Sequence, residues 1–401
     1  MSAKKENLNR ILTLPVVTFY GVGTIVGAGI YVLIGKVAGL AGDGIAYAFL
    51  TAGLVATFTA FSYCELVSRF PRAAGEALYV EKGFGLSWLS QLVGWMVVLT
   101  GIVSAATIAN GFTGYLAVFW SLPPGLVISL LVLGLGGIAA WGVKQSAALV
   151  NLITLISLVG LVFVIYAGLQ AEAKQPLSPV MSLPSWEIVP GIMLGAFLAF
   201  YAFIGFEDMV NLVEEVKEPR KTLPKALLLA IGVSLLLYVG VALVAARAVP
   251  LEQLAASEAP LALVVEQTGY TTGPIALISL IAVVNGALVQ LVMASRVMYG
   301  MAQQGLTARW LGRTNDTTKT PLAATIVVTA AILVFALWLP LTVLAKITSM
   351  IVLLVFGLVN LALISVKRRE GPLEGSFIVP VWVPVLGAAT SAMLVLVQLF
   401  A

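Results

Sequence analysis

The chain contains no histidine, a single cysteine (Cys64) in 401 residues, and charge on only 10% of its residues. Without histidine it lacks the side chain most used to move protons near neutral pH and to ligate metals. One cysteine excludes an intramolecular disulfide and any cysteine-based metal cluster. A nucleophile–base pair would have to come from carboxylates, serines and tyrosines, and no spacing among these suggests one, which argues against a membrane-embedded enzyme. A repeated filter sequence or a ring of like charges, the marks of a channel, is also missing. So little charge, against about 25% in soluble domains, excludes a soluble protein.

What the chain has is apolar length. It is 60% hydrophobic, with mean hydropathy +1.06, and apolar runs of about 20 residues recur throughout, as in a polytopic helical membrane protein. Eleven spans are expected, at about 12–35, 44–68, 86–119, 124–142, 147–169, 187–212, 224–247, 273–300, 321–339, 341–365 and 377–400. The polar, basic start from Met1 to Arg10 and the lack of a small-residue cleavage site mark the first run as a retained span, not a signal peptide. With the N-terminus cytoplasmic, 18 of the 22 Lys and Arg residues fall inside, leaving Lys36, Lys174, Arg247 and Lys346 outside. That asymmetry is a strong positive-inside signal. The net charge of +4 is therefore topological and gives no support to nucleic-acid binding. An odd number of spans puts Ala401 on the outer side, by nature or through loss of a twelfth span.

The first run carries four glycines in nine residues, Gly21, Gly23, Gly27 and Gly29. Gly23-x-x-x-Gly27 can let a neighbouring helix approach closely. Alternatively the helix breaks there and turns bare backbone groups toward a ligand. The sixth run reads Gly195-Ala-Phe-Leu-Ala-Phe-Tyr-Ala-Phe-Ile-Gly205-Phe-Glu207-Asp208. Two carboxylates in an apolar segment are costly against lipid. They fit a helix that unwinds at Ile204-Gly205 and restarts with acids near its new N-terminus. Interrupted spans five apart point to an inverted-repeat transporter with its site at the interruptions. Two other stretches read as organised connectors: Pro71–Gly85 as an amphipathic segment at the cytoplasmic interface, and Pro250–Gly273 as an outer lid or a plain loop. Trp88, Trp95, Trp120, Trp141 and Trp186 sit near span ends as interface anchors.

At this point the motifs resemble those of the amino acid–polyamine–organocation permeases. Gly23-Thr-Ile-Val-Gly-Ala-Gly-Ile-Tyr31 is similar to their first-helix signature, and Ser62-Tyr-Cys-Glu-Leu-Val-Ser-Arg-Phe-Pro71 to the end of their second helix. Phe203-Ile-Gly-Phe-Glu207 with Glu214-Glu-Val-Lys-Glu-Pro-Arg-Lys-Thr-Leu-Pro224 resembles their sixth helix and the turn into the seventh. Ser295-Arg-Val-Met-Tyr-Gly-Met-Ala-Gln-Gln-Gly-Leu306 and Thr320-Pro321 resemble the eighth and ninth. The resemblance implies an all-α polytopic bundle in the leucine-transporter-like 5+5 inverted-repeat fold, with discontinuous helices one and six and a peripheral eleventh span. Residues 1–401 would form one transporter domain, with repeats at about 12–170 and 187–366 and the extra span at about 377–400. The implied activity is secondary active or exchange transport of amino acids across the cytoplasmic membrane. No cofactor is implied beyond coupling to a proton or sodium, nor any accessory subunit or oligomeric state.

A zwitterion needs N–H donors for its carboxylate and carbonyls for its ammonium. The expected donors are Gly27, Ala28 and Gly29; the expected acceptors are carbonyls near Thr24 and Ile25 and those of Tyr201 and Ile204. By resemblance Tyr201 closes over the substrate as a gate. Ser104, Ala105, Phe200, Phe203 and Asn285 are candidates for the side-chain pocket. This pocket holds no acid opposite the substrate side chain, and Ile204 stands where some cationic-substrate members carry one, so a neutral amino acid is favoured over a cationic one or a polyamine. A transporter-like amino acid sensor remains a third reading. Many members carry a lysine in helix five where this chain aligns Ser157, so lysine-based coupling is not expected. Exchange or facilitated diffusion, sodium near Val22, Ser157 and Ser295, or protonation of Glu207 remain; capping the restarted helix is the alternative role of Glu207. Glu65 is expected to pair with a basic residue such as Arg296 at an inner gate.

Overall fold

The computed structural model describes residues 10–72, 75–142, 147–172, 184–315, 318, 320–371 and 373–401. Lys4, Lys5, Lys144, Lys174 and Lys319, used above for topology, lie outside the described residues. The first apolar run forms two helices, α1 (Leu14–Ile25) and α2 (Ala28–Ala41), and the second run forms α3 (Ile45–Arg69). A short helix α4 (Gly75–Phe84) leads to α5 (Ser87–Ala117), α6 (Pro124–Trp141) and α7 (Ala147–Gln170). The sixth run begins as α8 (Val189–Ala199) and continues as two 3₁₀ turns, Phe200–Phe203 and Glu207–Leu212. After it come α9 (Pro219–Ala248), the short helices α10 (Leu251–Ala256) and α11 (Pro260–Glu266), and then α12 (Gly273–Gln303), α13 (Leu322–Trp338), α14 (Leu341–Glu370) and α15 (Trp382–Phe400). Among the described residues, nine helical stretches are long and apolar enough to cross a membrane, and Leu14–Ile25 and Leu322–Trp338 are shorter apolar helices beside them.

Local sequence sets many of these boundaries. A proline occupies the first turn of α1, α6, α8, α9, α11 and α12, where its missing N–H has no helical partner to lose. Gly142, at φ +85°, ends α6 in the left-handed conformation that glycine adopts without strain. The five tryptophans assigned to the membrane interface are all exposed.

The packing follows a spacing of five spans. α5 lies most extensively against α12, α3 against α9, α6 against α13, and α2 against α8. These pairs join spans three and eight, two and seven, four and nine, and one and six. Helices of one half therefore rest on their counterparts in the other, with the two interrupted spans among them. The segment leading into α1 is tied down where Leu12 exchanges backbone hydrogen bonds with Glu215 and Lys217, at 3.0 and 2.9 Å.

At the end of α3 that bears Arg69, Glu65 is fully buried and binds two cations. Arg69 donates to it at 2.7 Å and Lys367, on α14, at 2.7 Å, while the Val379 N–H ahead of α15 donates at 2.9 Å. This corrects the expected Glu65–Arg296 pair: Glu65 clasps the last span to α3 and α14, and Arg296 lies elsewhere. Beside α3, α4 is more deeply set than an interfacial helix. Its Glu76, Tyr79 and Val80 are buried, and Glu76 accepts a hydrogen bond from the Tyr63 hydroxyl at 3.1 Å. At the opposite end of the bundle, α10 and α11 settle on α2. Lys36 reaches the Ala255 carbonyl at 3.2 Å and Glu258 at 2.9 Å, and the segment 250–273 is a packed cover.

Candidate functional site

The break in span one is two residues wide. α1 stops at Ile25, the Val26 N–H turns back to the Val22 carbonyl at 2.6 Å, and the Gly27 N–H turns to the Ile25 carbonyl at 2.7 Å. α2 then starts afresh at Ala28. The glycines divide the two roles weighed for this stretch. A Cβ on Gly21 would meet Met209, one on Gly23 would meet Thr154, and one on Gly29 would come within 2.6 Å of the Ala202 Cα, so these three serve close packing. At Gly27 the nearest neighbour of an added Cβ would be the Thr24 carbonyl of its own span, at 3.7 Å.

Span six breaks against span one. Its α-helical part tightens into the 3₁₀ turn Phe200–Phe203, Ile204 is extended, and Gly205 sits at φ +125°. A Cβ on Gly205 would lie 2.5 Å from the Thr24 carbonyl oxygen, so glycine is needed both for the conformation and for the approach. The chain restarts as the 3₁₀ turn Glu207–Leu212 instead of the expected α-helix, and Glu207 accepts from the Gly205 N–H at 2.8 Å. Tyr238, buried on α9, joins the two breaks: its hydroxyl faces the carbonyls of Ile25 and Ala202 at 2.7 and 3.0 Å.

Both breaks open onto a cavity of about 770 Å³. Of the expected site residues, Thr24, Ile25, Gly27, Ala28, Gly29, Ser104, Tyr201, Ile204, Glu207 and Asn285 line it. Phe200 and Phe203 do not, which corrects their assignment to the pocket. Phe200 packs edge-on against Phe356 and Phe203 against Tyr238. Ala105 faces the α6 side, beside Ala109 and Val132. Tyr201 and Ser104 hold each other on the wall, hydroxyl to hydroxyl at 2.9 Å.

Val22, Ser157, Ser295 and Glu65 are also absent from the lining. The Ser157 and Ser295 hydroxyls donate to carbonyls of their own helices, at Ile153 and Val292, and the Val22 carbonyl accepts from Val26. The cavity also contains charge that the sequence reading did not assign to the site: Glu76, Glu81, Asp208, Glu215 and Arg296. Asp208 adjoins an assigned residue and Arg296 lies within a quoted motif, so the signal was present but was attached to other roles.

The backbone groups at the breaks can now be sorted. The first N–H groups of α2 have no partner within the helix, and Ala28 and Gly29 are among the residues lining the cavity. The Gly27 N–H is engaged by Ile25, which corrects its expected place among the carboxylate donors. The Ile25 carbonyl already accepts from both Gly27 and Tyr238, which fills its two lone pairs. Of the expected ammonium acceptors, Thr24 and Ile204 keep the freest carbonyls, and Tyr201 accepts one long bond, at 3.3 Å, from the Ile204 N–H. Such a constellation offers donors for an anion and acceptors for a cation within one cleft.

Residues 12–401 match the family model described as Amino acid permease. The chain belongs to the amino acid permease family. It is thus an integral membrane protein of a transporter family, not an enzyme. This permease is 31% identical over 400 residues to a mitochondrial cationic amino acid transporter of Arabidopsis thaliana, the match covering 92% of the chain and 64% of the relative. It is 29% identical to a branched-chain amino acid permease of Bacillus subtilis, covering 95% and 86%, and 27% identical to a methylthioribose transporter of that organism, covering 96% and 87%. The permease therefore spans less than two thirds of the length of the plant transporter.

Proposed function

We propose that this chain carries amino acids across the cytoplasmic membrane by alternating access, with repeats at about 12–170 and 187–366 rocking around the paired breaks and span 377–400 at the periphery. One observation carries the reading: two interrupted spans, pressed together at Gly205 and Thr24, present N–H donors and free carbonyls to a single cavity. The Ala28 and Gly29 N–H groups would take the α-carboxylate, and the Thr24 and Ile204 carbonyls the ammonium. Tyr201 would close over the bound molecule after exchanging its Ser104 bond. The N-terminus is cytoplasmic on the basic-residue asymmetry, so the cavity, whose wall runs to α4 and the far end of α12, faces inward.

A neutral amino acid is the preferred substrate because Ile204 and Ser104 line the cavity at the breaks, and the nearest carboxylate, Glu207, is engaged by the Gly205 N–H. The second reading, a cationic substrate, draws on the carboxylates farther along the wall. Glu207 is the proposed proton carrier, since protonation would loosen its hold on the Gly205 N–H. Thermal-shift screening of the purified protein against amino acids and polyamines, with and without sodium, tests the whole reading. A ligand that binds only the folded state raises stability by mass action. Stabilisation by leucine, alanine or phenylalanine is expected. Arginine uptake into proteoliposomes exceeding that of these three would overturn the neutral preference. Full pH dependence retained in Glu207→Gln would overturn the proton role.

A further inference from the structure

Several helix-interior glycines of this bundle are required by their neighbours. On α5, a Cβ on Gly101 would lie 2.9 Å from the Ala294 Cβ, and one on Gly111 would collide with Val32. Gly286, inside α12, is under no such demand. A Cβ there would stand 3.5 Å from the Ile108 Cδ1 and 3.8 Å from both the Cβ and the backbone N of Ala28. These are ordinary van der Waals contacts. The backbone at Gly286 is helical, without the positive φ that favours glycine. Alanine is the better helix former at such a position. Neither conformation nor packing therefore accounts for a glycine here, and the helix is less stable for having one.

The neighbours of the missing side chain supply a reason. Gly286 lines the cavity together with Ala28, Gly29, Ile108 and Asn285, and its distance to the Ala28 N places it at the level of the breaks. Ala28 is the first residue of α2, so its N–H is among those with no partner inside the helix. An oxygen accepting from that N–H would sit about 2.9 Å from the nitrogen. The rest of a carboxylate reaches farther out, into the shell where a methyl on residue 286 would stand. The methyl and the anion would crowd one another, with Ile108 closing the space behind the methyl.

We infer that Gly286 is a specificity-determining residue: by presenting only hydrogen to the amino end of α2, it leaves the clearance that admits a substrate carboxylate. The inference rests on the amino acid reading above and adds α12 to the wall of the carboxylate station. The crowded end is common to all amino acids, so the residue acts on the carboxylate and not on the side chain.

Equilibrium binding of radiolabelled alanine, leucine and phenylalanine to the purified full chain in nanodiscs, with melting of the ligand-free protein in parallel, tests this. Gly286→Ala should weaken all three ligands about tenfold and to a similar degree, while the ligand-free melting temperature stays the same or rises. Loss of binding without loss of stability is the signature that a merely structural glycine would not give. Ile108→Val removes the Cδ1 behind the methyl, and in that background Gly286→Ala should cost only about threefold. Unchanged affinity in Gly286→Ala overturns the inference. So does a loss that grows from alanine to phenylalanine, which would put the side chain and not the carboxylate beside Gly286. A lowered melting temperature also overturns it, because the fold would then need the glycine. Wild type that binds none of the three overturns the amino acid reading itself, and the melting comparison still shows whether the fold tolerates the methyl.

Discussion

At the residue scale, glycines of similar appearance in sequence have different physical reasons, and substitution should separate them. Gly27→Ala adds a methyl to the cavity wall with no close neighbour and an extended backbone that any residue adopts. It should leave the melting temperature nearly unchanged and weaken leucine binding at least tenfold. Gly29→Ala must push against the Ala202 backbone and should lower both. Gly205→Ala combines left-handed strain, of order 1–3 kcal/mol, with a carbonyl contact at 2.5 Å, and should be the least stable of the three. Equal melting temperatures across the set would refute this sorting. Glu76 offers a second residue-scale test. Burial pushes its carboxyl above the usual 4.5, against the opposing hydrogen bonds from backbone and Tyr63. The folded state then holds a proton that the unfolded chain releases, so this group's contribution to stability is full below about pH 4.5 and is lost as pH rises through the folded-state value. Glu76→Gln should flatten the fall in melting temperature above pH 4.5 and raise it at pH 7; an unchanged pH profile would contradict the assignment. The glycines, acids and breaks were legible in the sequence, but the facing of Phe200 and Phe203 was not. Those residues sit in a 3₁₀ turn, where each step turns about 120° and not 100°, so α-helical phase fails there.

At the element scale, the polar clasps show which connections matter energetically. Glu65 has no exposed side-chain surface and balances two cations from α3 and α14. Removing one partner of a buried ion pair typically costs about 3–5 kcal/mol, because the remaining charges stay desolvated. Glu65→Gln should therefore lower the melting temperature strongly and loosen the last span, read as faster hydrogen exchange in residues 376–390. The cover formed by α10 and α11 behaves differently. Lys36–Glu258 is an exposed pair whose Glu258 side chain is 62% accessible, and such pairs contribute under about 1 kcal/mol. The tighter fit is Gly114, where an added Cβ would collide with the Glu258 backbone carbonyl. Gly114→Ala should raise hydrogen exchange across residues 250–266, whereas Lys36→Ala should change it little. The opposite ranking would mean that charge and not fit seats the cover. Sequence periodicity found both elements, and the interrupted spans showed their pairing. It could not reveal Lys367 as the partner of Glu65, because 302 residues separate them and several basic residues at the same end were equally eligible.

At the scale of the whole molecule, packing between spans five apart turns local breaks into one cleft, and the ends of that cleft are unequal. One end is covered by α10 and α11 on α2, while the other is walled by α4, Asn211, Glu215 and the last turn of α12. On the orientation proposed above, this second end would open to the cytoplasm. The single cysteine makes this testable, since Cys64 is buried and Cys64→Ala gives a thiol-free background. In that background, Gln304→Cys at the mouth and Asn285→Cys at the breaks should react with a membrane-impermeant maleimide added from the cytoplasmic face of inverted vesicles. Neither should react from the outer face of right-side-out vesicles. Saturating leucine should protect Asn285→Cys more than Gln304→Cys if the bound molecule sits at the breaks. Labelling of Asn285→Cys from the outer face alone would reverse the orientation inferred from the basic residues. Labelling from both faces at similar rates would mean that α10 and α11 do not seal the outer end, and the carrier would then exchange freely between two open states.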